Sequence, residues 1–430
     1  MTLLKLSDLK AEFFILKQEK SLKNGKNMIS LKEARKKVLS VASILNPEEV
    51  KFTFSLGRIL AEDIYSSFDI PEFNRAAMDG YAVISKDVTN TSFQNPVTLK
   101  IIADLPAGKT TKIKIGNGCC IRIMTGAPMP GGADAVVMFE DTKEIKNYVR
   151  ILRSVNAQEN VAFAGEDVKK GELILKKGSF IRAPQLAMLA ALNRTKVKVT
   201  RRPRVAVIST GDEIVEPGVK LKTGQIYDSN SYGLCSQVLE CGGKSYRLGI
   251  AKDNEKILSK KILEGLKFDI LLLSGGVSEG VYDIVVNVLK DAGVKMLFWK
   301  VAVKPGKPTF FGKRDKTLVF GLPGYPVSSM LNFENLVRPA ILKMLGRNDW
   351  QRFKVRANFE ELIRNNGDRT NLIRVKLTGE NERYCVIPFP SQKSGILKSL
   401  VWANGIVVLP ARKEIKKGEE VLVELLNVEF

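Results

Sequence analysis

Four short stretches of this 430-residue chain set glycine beside acids, hydroxyls or lysines. They are Thr210-Gly211-Asp212-Glu213, Ser274-Gly275-Gly276-Val277-Ser278, the "KPGKP" turn with Lys304 and Lys307 around Gly306, and "GLPGYPVSS", which leads into Ser328 and Ser329. Glycine-rich turns that run into helices offer backbone N–H groups to an anion. Fixed lysines add positive charge, and serine hydroxyls add donors. Asp212 is an acid among anion-binding groups, which suits a divalent cation bridging phosphates. The Ser274–Ser278 loop is not a Walker loop, because no Gly-Lys-Ser/Thr follows, and it is not the dinucleotide fingerprint. Any one of them would pass as a plain turn. Four together, each after an apolar run, point to a phosphorylated or oxyanionic ligand.

Other residues of the same chemistry stand elsewhere. "YDSN" presents Asp228, Ser229 and Asn230 just before a helix, where Ser229 or Asn230 would equally serve as a cap. "RAAMDGYAV" carries Asp79-Gly80, which alone reads as a β-turn. "IMTGAPMPGG" carries Thr125 in a Gly/Pro loop, and "FAGEDVKKGE" carries Glu166 and Asp167. The vicinal Cys119-Cys120 reads as small apolar packing.

The elements that would position these loops follow from periodicity. Residues 1–27 are polar and lysine-rich. "ISLKEARKKVLSVASIL" opens with a capping box, Ser30 to Glu33, and Ala34, Val38, Val41 and Leu45 recur at helical spacing. From about Val50 to Ile181, short β-like runs alternate with Gly and Pro, the pattern of an all-β or extended region. From 183 to 346 strands alternate with helices, which predicts a parallel sheet covered by helices. After Gly346, "NLIRVKL", "RYCVIPF", "GIVVLPA" and "EEVLVELL" predict a small β-barrel or sandwich. In an open α/β sheet ligands bind beyond the carboxyl ends of the strands, where the four loops fall.

Composition narrows the chemistry further. Histidine is absent, so Ser-His-Asp and Cys-His catalysis and histidine-ligated zinc are excluded. A metal would have to sit on oxygen ligands, as Mg²⁺ does. The formal net charge of +22 favours anionic partners. Nucleic acid fits poorly, because the lysines are scattered and aromatics make up only 7%. Five cysteines without a CxxC pair, no secretion-type start and no apolar stretch near the ~20 residues of a membrane span predict a reduced, cytoplasmic chain.

Read in order, "AMDGYAV", "IRIMTGAP", "GED", "STGDE", "YDSN", "LLLSGGVS", "KPGKP" and "GLPGYPVSS" resemble the molybdopterin molybdenumtransferase family, which includes the C-terminal domain of gephyrin. The resemblance runs from about Met28 to the C-terminus. It implies an α/β multidomain protein: an N-terminal extension (1–27), an extended dimerisation region (28–74 and 151–182) and a β-rich domain (75–150). A three-layer α/β molybdopterin-binding domain (183–346) and a C-terminal small β-barrel (347–430) follow. It also implies a homodimer that takes adenylylated molybdopterin and molybdate and, with Mg²⁺, releases AMP, with a molybdopterin adenylyltransferase as a further partner. Asp79, Thr125, Glu166, Asp212 and Asp228 would be catalytic, Asp212 and Asp228 also holding the metal. Ser229, Asn230, Ser274, Gly275, Gly276, Ser278, Asp283, Lys304, Lys307 and Ser328 would bind the ligand. The chain departs from the family pattern at Asn74, Val281, Val286 and Tyr325. A pterin-binding scaffold of reduced activity and a tungstate-specific insertase stand as alternatives.

Overall fold

The computed structural model describes residues 28–276, 282–380 and 383–426. They form two compact units. One is built from Gly57–Ile59 and the described parts of Met1–Glu48 and Val199–Phe430; the other comprises Glu49–Leu56 and Leu60–Lys198.

In the first unit a six-stranded sheet is made by β1 (Arg204–Thr210), β2 (Lys244–Ala251), β3 (Ile270–Ser274), β4 (Lys295–Trp299), β5 (Phe310–Arg314) and β6 (Thr317–Leu322). Their order is β2-β1-β3-β6-β5-β4. The helices are α1 (Leu31–Val41), α2 (Asn230–Glu240), α3 (Glu255–Gly265), α4 (Tyr282–Asp291), α5 (Pro326–Asn332) and α6 (Arg338–Met344), with a π-turn, Phe333–Val337, joining the last two. The run β1, β3 and β6 is buried on both faces, which is why it reads as unbroken apolar sequence rather than as alternation. Val205, Val207, Leu272 and Phe320 face Leu234, Val238, Leu331, Ile341 and the Ala34–Val38 side of α1. Ala206, Ile208, Leu271, Leu273 and Val319 face Leu258, Ile262, Val288 and Leu289. The result is a three-layer domain.

The sheet departs from the expected parallel one. β2, β1, β3 and β6 are parallel, but β5 pairs antiparallel with both β6 and β4. The helix Ala183–Ala191, expected to begin the α/β segment, groups with the other unit, and the sheet itself starts at Arg204.

Beyond α6, strands Lys354–Phe359, Thr370–Glu380, Arg383–Pro388, Gly405–Leu409 and Glu420–Leu425 close into a five-stranded barrel through the pairing of Thr370–Glu380 with Gly405–Leu409. Phe359, Val375, Val386, Val407 and Val423 fill it. A two-residue strand, Val303–Lys304, pairs with Thr370 and Asn371 and so fixes the lysine turn to the barrel.

The second unit is β-rich, as expected. Its six-stranded sheet runs Ala135–Met138, Gly80–Val83, Cys119–Ile123, Val97–Leu105, Tyr148–Ile151 and Thr142–Ile145, around cores that include Tyr81, Val137, Ile121 and Val149.

Candidate active site

In the α/β unit the register brings the strand ends to one edge. Thr210 pairs with Ala251, Ser209 with Ser274, Ser274 with Leu322, Gly321 with Phe310, and Phe310 with Trp299. The loops after β1, β3, β4 and β6 therefore share that edge. Gly275 and Gly276 have φ of +94° and +66°. A Cβ on Gly275 would stand 2.6 Å from the Thr210 carbonyl oxygen, and one on Gly276 2.7 Å from Thr210 Oγ1. Only glycine lets β1 and β3 end this close together.

Asn230, at the start of α2, donates from Nδ2 to Ser274 Oγ (2.9 Å) and to the Gly324 carbonyl (2.7 Å), which ties α2 to the loops after β3 and β6. Its Oδ1 is buried without a partner. Ser274 and Ser328 are buried, and Ser329 Oγ lies 3.5 Å from Ser274 Oγ. The Gly306 carbonyl accepts from Asn332 Nδ2 (2.9 Å) and Thr309 Oγ1 (2.8 Å), so the turn that carries exposed Lys304 and half-buried Lys307 is bolted to α5. The N–H of Val327 donates to the Ser394 carbonyl (3.3 Å), bringing a barrel loop over the same helix start. Ser278 and Val281 lie outside the described residues, and only the backbone of Asp283, within α4, is described.

The two acids expected to hold a metal differ sharply. The Asp228 side chain is 0% exposed. Its Oδ1 accepts from Ser209 Oγ (2.7 Å) and the Ser231 N–H (3.1 Å), and its Oδ2 from Ser231 Oγ (2.5 Å) and Arg247 Nη1 (3.4 Å). Asp228 thus caps α2 itself. Ser229 makes no side-chain cap, because its backbone is already helical at φ −86°, ψ −26°. Asp212 is exposed; its Oδ1 accepts the Asp253 N–H (3.3 Å) and its carbonyl accepts Lys252 Nζ (2.8 Å). Burial, then the charges of Asp212 and Glu213, push the Asp253 carboxyl up. Glu213 folds back over Gly211, where a Cβ would meet its Oε2 at 2.5 Å.

Among the described residues no group of three or more acids or cysteines is arranged to hold a metal alone. Mg²⁺ needs less, taking one or two carboxylates and completing its shell with water and substrate phosphates. Asp212 and Asp253 fit that requirement; Asp228 has no oxygen to spare. Asp253 was missed from sequence. The signal for Asp253 was its place just after β2, another strand end.

A second cluster lies in the β-rich unit. Asp79 Oδ1 accepts the Thr125 N–H (2.7 Å) and Thr125 Oγ1 (2.8 Å). The N–H first, then the hydroxyl, hold the Asp79 carboxyl below its ordinary range. Asp79-Gly80 is not the turn it resembles: a Cβ on Gly80 would fall 1.9 Å from the Val137 carbonyl oxygen, so this glycine admits a neighbouring strand. Glu166 Oε2 accepts the Phe163 N–H (3.0 Å) and closes its own exposed loop. The three loops are laced together by Gly126 N–H to Ala76 O (2.8 Å), Ala77 N–H to Asn160 O (2.9 Å) and Ala164 N–H to Asn74 Oδ1 (2.9 Å).

Three family models match the chain: "MoeA N-terminal region (domain I and II)" over 29–193, "Probable molybdopterin binding domain" over 206–343, and "MoeA C-terminal region (domain IV)" over 356–426. A molybdopterin molybdenumtransferase of Staphylococcus epidermidis is 36% identical over 385 residues, covering 89% of this chain and 91% of that protein. One from Staphylococcus aureus is 35% identical over 391 residues, covering 90% and 92%. Among solved structures, two molybdopterin biosynthesis MoeA proteins from Pyrococcus horikoshii superpose with TM-scores of 0.82 and 0.77. Their identities are 38% and 34%, and they cover 94% and 93% of this chain and 100% of each matched chain.

Proposed function

Since the chain belongs to the molybdopterin molybdenumtransferase family and is a transferase of molybdenum cofactor biosynthesis, we propose that it inserts molybdate into adenylylated molybdopterin and releases AMP in a Mg²⁺-dependent step. The observation that most supports this reading is the single sheet edge shared by the loops after β1, β3, β4 and β6. In this reading the Ser274–Gly276 turn takes the pterin phosphate against its backbone, and Asn230 holds that turn in register. Lys304 and Lys307 neutralise oxyanion or phosphate charge. Asp212 with Asp253 would hold Mg²⁺, which when bound would offset phosphate charge as AMP departs. Asp228 positions α2 and, through it, Asn230.

Asp79, Thr125 and Glu166 belong to a second group of site residues, contributed by the other subunit of a homodimer. Supply of the activated pterin falls to a molybdopterin adenylyltransferase. The test is AMP release from adenylylated molybdopterin on addition of molybdate, with tungstate in a parallel arm. Molybdate-dependent release that Asp212→Asn lowers at least about tenfold supports the reading. Absence of release with either oxyanion and added Mg²⁺ would remove it and leave a pterin-binding scaffold.

A further inference from the structure

Away from the sheet edge, a cavity of ≈ 120 Å³ is lined by α1, the π-turn and the barrel. Its lining carries four cations, Arg35, Arg338, Arg352 and Lys354, against two carboxylates, Glu334 and Glu424. Both carboxylates are already engaged. Glu334 pairs with Arg352, accepts Gln237 Nε2 (2.6 Å) and lies 3.9 Å from Arg338 Nε; Glu424 pairs with Lys354 at 3.0 Å.

Four cations thus share two carboxylates, and Arg338 has only the distant one that Arg352 already holds. Arg35 hydrogen-bonds Asn335, through Nε to its carbonyl (3.1 Å) and Nη2 to its Oδ1 (2.8 Å), and lies over the Trp350 ring at 5.9 Å. Arg338 Nη1 donates to the Trp350 carbonyl (2.8 Å), and Arg352 Nε is buried without a partner. Burial depresses Arg35 and Arg338, Arg352 adding to it at Arg338, while Glu424 opposes it at Arg35 and Glu334 at Arg338. Glu240 is not part of the lining; burial, then the charge of Glu334, push its carboxyl up. Asn335 stands in the π-turn, and such turns recur at functional sites. A flat basic face would leave these nitrogens to water, whereas here they line a partly open cavity with planar forks suited to an oxyanion.

We propose that this cavity is a second anion site that takes a small tetrahedral dianion of the phosphate class, held by Arg35, Arg338 and Arg352. Its volume is many times the ~10–15 Å³ that one water needs by the same measure, which leaves room for a five-atom oxyanion. The inference does not depend on the insertase reading, because it concerns other residues and is read by binding alone.

The probe is inorganic phosphate, titrated at fixed ionic strength into the full chain carrying Lys304→Ala and Lys307→Ala, which weakens anion binding at the sheet edge. Calorimetry and the fluorescence of Trp350, which lines the cavity, report occupancy. Saturable binding with a Kd below about 10 mM is expected, and Arg35→Met should weaken it at least about tenfold while Trp350→Phe removes most of the fluorescence change. Arg35 is half-buried, and methionine keeps most of its aliphatic packing, so the variant is expected to fold. If Arg35→Met nevertheless unfolds, Arg35→Lys keeps the charge and loses the fork, and weakened binding supports the site equally. Failure to saturate, or phosphate binding unchanged by either Arg35 variant, overturns the proposal. AMP binding more tightly than phosphate at this site overturns it as well.

Discussion

Asp228 accepts from Ser209, Ser231 and Arg247 at once, so its removal leaves buried donors with no acceptor. Asp228→Ala should therefore cost about 3–5 kcal/mol of stability, whereas Asp212→Ala, at an exposed position, should cost under about 0.5 kcal/mol. Urea denaturation of both, with and without Mg²⁺, checks this, and equal stability of the two variants would mean the Asp228 network carries no load. Asp79 behaves differently again. Its carboxyl is held below its ordinary range because Thr125 stabilises the charged form. A depressed folded pKa gives stability that is present above the unfolded value and lost as pH falls through the folded one. Thr125→Val removes the smaller contribution, the hydroxyl, and keeps the N–H. The Asp79 carboxyl should then rise only partway to its ordinary value, as a carbon-detected NMR titration would read. Asp79 with Thr125 was legible in sequence because ordered motifs carried both. That Asp228 caps α2 was not legible, since an acid before a helix reads alike whether it caps or coordinates.

The glycine pair after β3 is an element-scale device, because it sets how closely two neighbouring strands can end. Gly275→Ala or Gly276→Ala should each cost at least about 1–2 kcal/mol for positive φ alone, with the contact to Thr210 adding to that. The shift in denaturation midpoint measures it; a change under half that would show the turn relaxes freely. At the other end of the chain, Ser30→Ala removes the observed capping box of α1 and should cost about 1 kcal/mol. The α/β alternation was legible because strands buried on both faces leave long apolar runs in the text. The β5–β6 hairpin was not. It turns at Asp315, with φ of +52°, and lacks the glycine that usually marks such a turn. Nor does a local pattern say which core a helix joins, and so Ala183–Ala191 was assigned to the α/β segment.

At the scale of the whole molecule, the proposed homodimer makes a quantitative demand. If each site takes Asp79 from one subunit and Asp212 from the other, Asp79→Asn and Asp212→Asn are each nearly inactive alone. After verified subunit exchange, half the dimers are mixed and each mixed dimer has one intact site, so activity should return to roughly a quarter of wild type. No recovery would place both acids in one chain. The bounds of the inserted unit were not legible from sequence, because nothing local marks Glu49 and Lys198 as its ends. That insertion has a consequence for birth rather than function. The β-rich unit is complete once residue 198 has left the ribosome. Helix α1, made earlier, must wait: Arg35 binds Asn335, 300 positions later, and Ala34 and Val38 pack in a core with Ile341 and Met344. At about 5–20 residues per second, the apolar face of α1 stays uncovered for roughly 15–60 s of translation. A nascent chain arrested some forty residues past Lys198 should protect the inserted unit from protease while leaving α1 open to cleavage.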